Sequence, residues 1–180
     1  MSDLFDAVKS GQDFLTKVIS YVPGFKGYIE RSQRRSADKL LRDQVALKYT
    51  ELSRRISELM KDVSGAGQLD FLDDLDSIRI KLTTFADRIK NASYGYSGFF
   101  DSVKINEKEL QKIYAFDSAF FEVADQISSG FDNIEASIGT DGLKSAIRAV
   151  DKLALKANQT FDRRYEMLTA GEGELLPPPA

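Results

Sequence analysis

The chain has 180 residues, with 25 Lys and Arg against 28 Asp and Glu, and it contains neither Cys nor His. The length is typical of a single domain. The absence of Cys and His excludes disulfides, thiolate nucleophiles, zinc fingers, iron–sulfur clusters, His-based triads and the Glu-x-x-His sites of di-iron bundles. The net charge of −3 argues against a surface built wholly for nucleic acid.

Two features of the chain bear on its location. No apolar run reaches the roughly 18 residues of a transmembrane helix, and no signal-peptide pattern opens the chain. The sequence therefore predicts a cytoplasmic protein without a transmembrane segment, and it leaves peripheral membrane contact open.

The first predicted helix covers about residues 3–21. Its apolar residues recur at three-, four- and seven-residue intervals, which is the period of a helix rather than a strand: Leu4, Val8, Leu15, Val18 and Val22. We expect this amphipathic helix to pack along the others, with a partner contact as the alternative. Pro23 and the two glycines of PGFKGY (23–28) predict a turn after it.

Two further helices are predicted at 29–63 and 70–91, separated by Gly65 and Gly67. The first stripe advances in steps of four and three and the second in strictly alternating fours and threes, the spacing of bundle helices. The first stripe is Leu41, Val45, Lys48, Leu52, Ile56, Leu59 and Val63, and the second is Phe71, Leu75, Ile78, Leu82, Phe85 and Ile89.

After the aperiodic segment 91–105, the period resumes in two helices predicted at 107–138 and 141–168. The first stripe runs through Gly130 without a slip, which predicts one long helix despite the roughly 1 kcal/mol that an interior glycine costs. The two stripes are Leu110, Ile113, Asp117, Phe120, Ala124, Ile127, Phe131, Ile134 and Ile138, then Leu143, Ile147, Val150, Ala154, Ala157, Phe161, Arg164 and Leu168.

These patterns predict an all-α fold, since no segment alternates with the period of two that marks a strand. The short turns at 64–69 and 139–141 predict antiparallel hairpins. We therefore expect one domain over residues 1–170, an antiparallel up-down four-helix bundle with an additional N-terminal amphipathic helix. Residues 171–180 read as a flexible Pro-rich tail.

The available chemistry predicts no catalytic, metal-binding or cofactor-binding residues, and hence a protein that is not an enzyme. The acidic cluster Asp70, Asp73, Asp74 and Asp76 lacks the alternating ligands of a calcium loop, and acids favour the first turn of a helix. The turn SGAGQ (64–68) lacks the Gly-Lys-Ser/Thr ending of a phosphate-binding loop.

Besides Lys48, two positions of the apolar stripes are charged, Asp117 and Arg164. If the last hairpin turns near residue 140, facing residues have numbers that total about 280, which brings Asp117 level with Arg163 or Arg164. We expect a structural ion pair that fixes the register of the two helices. The alternative is a buried charged site that binds a ligand.

If facing residues are matched in the same way in both hairpins, the turn 23–28, the segment 94–100 and the end of the last helix all lie at one end of the bundle. Residues 26–55 hold nine Lys and Arg against four acids, a local charge of +5. We call this predicted surface the basic end. Its partner-binding residues are predicted to be Arg31, Arg34, Arg35, Lys39, Tyr94, Tyr96, Phe99 and Phe100.

Two strings, PGFKGYIERSQRRSADKLLR (23–42) and YGYSGFFDSVKINEKELQKIYAFD (94–117), resemble segments of uncharacterised bacterial all-helical proteins. The resemblance covers about a third of the chain and implies a bacterial origin. It also implies that the two segments belong to one design. It carries no activity, ligand or site residue to this chain.

The leading hypothesis is a non-enzymatic interaction or scaffold module, whose basic end binds an acidic protein or an anionic membrane surface. The alternative is a small-ligand sensor with a pocket between helices near the 94–100 aromatic loop. Nucleic-acid binding is disfavoured because the rest of the chain is acidic. Homo-oligomerisation is left open.

Overall fold

The structure, a computed structural model, describes residues 18–25, 34–92 and 107–169, with side chains at 18–25, 39–92 and 116–162. It contains the helices α1 (Arg34–Gly65), α2 (Leu72–Asn91), α3 (Glu107–Ser137) and α4 (Leu143–Thr169). A single 3-10 turn, Leu69–Phe71, leads into α2. No strand occurs in these described ranges, and the predicted all-helical class is confirmed.

Two tight turns join α1 to α2 and α3 to α4, and each uses a glycine with positive φ. Gly67 has φ +75° and Gly139 has φ +79°, a region that other residues rarely adopt. The two turns lie at the same end of the molecule, because the backbone N–H of Gly139 donates to Oε1 of Gln68 at 2.8 Å. The molecule is therefore built from two helical hairpins that turn at a shared end.

The hairpins pack side by side, with α1 against α3 and α2 against α4. Contacts across this boundary advance in the same direction along the two helices that they join. Tyr49 donates to the carbonyl of Phe120, and Arg55, further along α1, donates to the carbonyl of Ser128, further along α3, both at 3.1 Å. Helices that face each other across the boundary therefore run parallel, whereas those within each hairpin run antiparallel.

The core is a continuous apolar cluster along the predicted stripes of α1 to α4. One position of the α1 stripe was predicted wrongly. The buried side chain is Tyr49, fully inaccessible to solvent, whereas the neighbouring Lys48 is partly exposed at the α1–α3 boundary. An alternation of three and four counted backwards from Leu52 reaches Tyr49, Val45 and Arg42, and all three are buried.

An aromatic layer crosses the core and takes residues from all four helices. The ring of Phe85 lies 4.1 Å from that of Tyr49, 4.8 Å from Phe120 and 6.0 Å from Phe161. Phe116 packs edge-on against Phe120 at 5.6 Å. Such pairs stabilise a core by about 0.5–1.5 kcal/mol beyond the area that they bury.

The segment 18–25 docks on α3. Val18, Val22 and Phe25 are fully buried, and the ring of Tyr21 stacks on that of Phe121 at 4.5 Å. The N–H of Phe25 donates to the carbonyl of Val22 at 3.2 Å, and Gly24 between them has φ +84°, as the third residue of a type II turn does. The end of the predicted N-terminal helix thus packs on the other helices. Its residues 3–17, like the predicted tail 171–180, lie outside the described residues.

Among the described glycines, Gly130 has the least room for a side chain, because α4 packs against α3 at this residue. A Cβ atom on this residue would stand 2.5 Å from Cγ2 of Val150, which is itself fully buried. The numbers of these facing residues total 280, as the sequence predicted for this hairpin. Close packing against Val150 therefore explains why a glycine occupies this position in the middle of a helix.

We expect Gly130→Ala to destabilise the protein by about 1–2 kcal/mol, because the clash outweighs the gain in helix propensity. The sign should reverse in a Val150→Ala background, where the clashing methyl group is gone and only the propensity gain of up to about 1 kcal/mol remains. Urea denaturation of the four variants measures both effects. A stabilising Gly130→Ala in the wild-type background would contradict the close approach.

Candidate functional site

The structure describes only part of the predicted basic end. Arg34 and Arg35 lie in the first turn of α1, with their side chains outside the described set, and Lys39 is exposed on the same helix. The remaining predicted partner-binding residues, Arg31, Tyr94, Tyr96, Phe99 and Phe100, lie outside the described residues. The basic end therefore stays a prediction.

The acidic cluster of the sequence is spread over the start of α2. Asp70 lies in the 3-10 turn, Asp73 and Asp74 in the first turn of the helix, and Asp76 accepts a 2.7 Å hydrogen bond from Nε of Arg79. Within the described ranges, no group of three or more acidic side chains is placed to hold a metal ion. The positive end of the α2 dipole accounts for acids in this turn.

The boundary between the hairpins carries ion pairs with a consistent polarity. Among the described side chains, each pair that crosses the boundary takes its cation from α1 or α2 and its carboxylate from α3 or α4. The pairs are Lys48–Asp125, Arg55–Asp132, Arg55–Glu135, Lys81–Asp151 and Arg88–Asp162. We call this row of contacts the charged seam.

Arg55 makes the most extensive contacts of the seam. Its Nη1 donates to both the carbonyl and the hydroxyl oxygen of Ser128 at 3.1 Å, and its Nη2 donates to Asp132. The guanidinium also lies 5.7 Å from the ring centroid of Phe131. These directional contacts hold α1 in one register against α3.

The boundary between α2 and α4 is held in a similar way. Lys81 pairs with Asp151, and its carbonyl accepts a 3.0 Å hydrogen bond from Nδ2 of Asn158. Two turns after Lys81 on α2, Arg88 pairs with Asp162, which lies one turn after Asn158 on α4. The guanidinium of Arg88 also lies 4.8 Å from the ring centroid of Phe161. Because these side chains are partly exposed, each pair contributes only about 0–1 kcal/mol.

Asp125 joins the N-terminal segment to the seam. Its Oδ2 accepts a 2.6 Å hydrogen bond from the hydroxyl of Tyr21, and its Oδ1 lies 3.6 Å from Nζ of Lys48. The hydrogen bond, reinforced by burial and by the carboxylate charge, raises the pKa of Tyr21 to about 12. The phenol therefore remains a neutral donor throughout the physiological range.

The seam reduces the charge excess that the sequence shows in residues 26–55. Lys48 and Arg55 are paired across the hairpin boundary, and Arg42 is only 3% exposed. Three of the nine cations of this stretch thus serve the interior or the seam. Sequence counting could not separate these from exposed cations, because a heptad position does not reveal which acid lies across from it.

Asp117 and Arg42 are the buried charged residues among the described side chains, 0% and 3% exposed. The hydrogen bonds of Tyr49 and Arg55 to α3 join residues whose numbers differ by 71 to 77. Arg42 and Asp117 differ by 75, so this register brings them within reach of each other. The side chain of Arg164 is outside the described set, so its predicted pair with Asp117 stays a prediction beside this second candidate.

We expect Asp117→Ala to destabilise the protein by about 3 kcal/mol, the cost of leaving a buried cation without its carboxylate. Double-mutant cycles with Arg42→Ala and, separately, Arg164→Ala identify the partner by a coupling of about 1 kcal/mol or more. Urea denaturation gives each free energy of unfolding. Additive effects in both cycles would contradict the register given above.

An outward face of α4 carries a second set of cations. Lys144, Arg148, Lys152 and Lys156 repeat every fourth residue, and all four are exposed. Over the described part of the chain, none of them has a carboxylate within 4.0 Å. We call these four residues the basic stripe.

The basic stripe is unfavourable for the helix that carries it. Like charges four residues apart oppose each other, at a cost of about 0.2–0.5 kcal/mol per pair. Lys144 adds to this cost, because it lies in the first turn of α4, where the helix dipole disfavours cations and which itself contains no acid. Stability alone therefore does not explain the stripe.

A shallow depression of about 440 Å³ opens along the first three cations of the stripe. Its lining combines the cations with two small side chains, and it consists of Asp141, Lys144, Ser145, Arg148, Ala149 and Lys152. Sequence reasoning missed this surface, although four cations at intervals of four residues are visible in the sequence.

Comparison with known proteins identifies no family for this chain. Neither a protein-family model nor a curated protein nor a solved structure matches it. Among the helices of the described ranges, none is long and apolar enough to cross a membrane.

Proposed function

We propose that this chain is a non-enzymatic interaction module that binds an acidic protein through cations on its surface. The proposal includes the finer architecture, an antiparallel up-down four-helix bundle with an additional N-terminal helix. The antiparallel pairs α1–α2 and α3–α4 support the up-down order, whereas the parallel pairs α1–α3 and α2–α4 set the two hairpins side by side.

The observation that carries the proposal is the contrast between two kinds of cation. Those at the hairpin boundary face carboxylates of the same chain, whereas those of the basic stripe face solvent without a carboxylate in the described residues. A folded chain that matches its charges where its own helices meet, and leaves a row of cations outside, has a surface complementary to an acidic partner.

An acidic protein is favoured over a membrane by the residues around these cations. Of the described side chains on the outward face of α4, Leu155 is the exposed large apolar residue, with 42% of its surface accessible. Interfacial membrane helices instead set a broad apolar face of Trp, Phe and Leu beside their cations. The basic end, with its predicted aromatic residues, is a second cationic surface within the same proposal.

The proposal is tested by equilibrium binding to fluorescent oligo-glutamate, with vesicles of anionic and of neutral lipid as parallel probes. We expect the wild-type chain to bind oligo-glutamate, and we expect salt to weaken binding because the Debye length falls to about 8 Å at physiological ionic strength. The variant Arg31→Glu, Arg34→Glu, Arg35→Glu tests the contribution of the basic end.

A control variant reverses three exposed cations elsewhere, Arg54→Glu, Lys61→Glu and Lys90→Glu, and changes the net charge equally. Weaker binding by the basic-end variant than by this control supports a site at that end. If the wild-type chain binds no acidic probe at low salt, the proposed function is wrong. If it binds only the anionic vesicles, the membrane version replaces it.

A further inference from the structure

The shape of the basic stripe defines the kind of acidic partner that fits it. Its four cations extend over about 18 Å of α4, three turns of helix. Rows of residues four apart are inclined by about 26° to the helix axis, so the stripe winds gradually around α4. A flat surface meets only part of such a row, whereas an elongated segment can follow it.

The depression beside the stripe offers such a segment a place to lie. Ser145 and Ala149 are exposed, one turn apart, and each directly follows a cation of the stripe. Their small side chains let a partner backbone approach closely, and Lys144, Arg148 and Lys152 border the same depression. Asp141 lies at the end of the depression nearest the turn between α3 and α4. The positive potential that attracts an acidic partner therefore covers the part of α4 from Lys144 to Lys156.

We propose that this face of α4 is the docking groove for an acidic helical segment of a partner protein. The segment packs on α4 over Ser145 and Ala149 at a crossing angle of about −50°, at which rows of residues four apart on two helices align, and its carboxylates, spaced every fourth residue, then meet cations of the basic stripe. This inference rests on the proposed function and assigns it a surface separate from the basic end. Charge complementarity and the matching four-residue spacing select the occupant.

The test uses the full chain and a fluorescent helical peptide with glutamate at every fourth position, measured by anisotropy. The stripe variant carries Lys144→Glu, Arg148→Glu and Lys152→Glu, and we expect it to lose about tenfold or more in affinity. A peptide with the same composition but scrambled glutamate spacing should bind the wild-type chain several-fold more weakly. Circular dichroism and thermal melting verify that each variant is folded.

A second variant tests the groove without a change in charge. Ala149→Gln fills the depression with a longer side chain that a helix accommodates readily, and we expect it to weaken peptide binding several-fold. The control variant Arg54→Glu, Lys61→Glu, Lys90→Glu should bind within about threefold of the wild-type chain, since its cations lie on other helices.

The outcomes separate this inference from the proposed function. Equal losses in the stripe and control variants would show an effect of net charge alone and would overturn the groove. Loss only in the basic-end variant would place binding there and leave the proposed function standing without the groove. If the stripe variant no longer binds anionic vesicles but binds the peptide as the wild-type chain does, the surface binds lipid and the inference is wrong. Failure of the wild-type chain to bind any anionic probe overturns both.

Discussion

The side-by-side docking of two hairpins that turn at one end is the constraint on which the rest of this structure depends. This arrangement makes the facing helices parallel, so the hydrogen bonds between α1 and α3 advance along both helices, from Tyr49 and Phe120 to Arg55 and Ser128. The link between Gln68 and Gly139 fixes the shared end. At the opposite end α2 ends and α3 begins, and α4 keeps one face directed to solvent.

Burial and charge divide the work of this docking. The apolar stripes and the aromatic layer around Phe85 supply most of the stabilisation, because exposed ion pairs contribute little. The charged seam supplies selectivity instead, since a shifted register would break its directional contacts, such as those of Arg55 with Ser128 and Asp132. With all described cations of the seam in the first hairpin and all its carboxylates in the second, each hairpin is complementary to the other and not to itself.

The helical periodicity of the sequence was sufficient to predict the all-α fold and the facing of Gly130 with Val150, because apolar spacing and short turns determine both. It could not show which hairpin helices become neighbours, which depends on packing between distant segments. For the same reason the burial of Arg42 and the pairing of Lys48 were missed. The basic stripe was visible as a four-residue repeat, but only the structure shows that its members lack carboxylates nearby among the described residues.

The polarity of the charged seam is tested most directly by exchanging it. One variant carries Arg55→Asp, Lys81→Asp and Arg88→Asp, a second carries Asp132→Arg, Asp151→Lys and Asp162→Arg, and a third combines all the substitutions. Each half-exchange sets like charges across the boundary and should lower the free energy of unfolding by roughly 1–3 kcal/mol. The combined variant should recover most of the loss, although Glu135 then faces an acid at position 55. Additive losses in the combined variant would contradict the view that opposite charges on the two hairpins hold them in register.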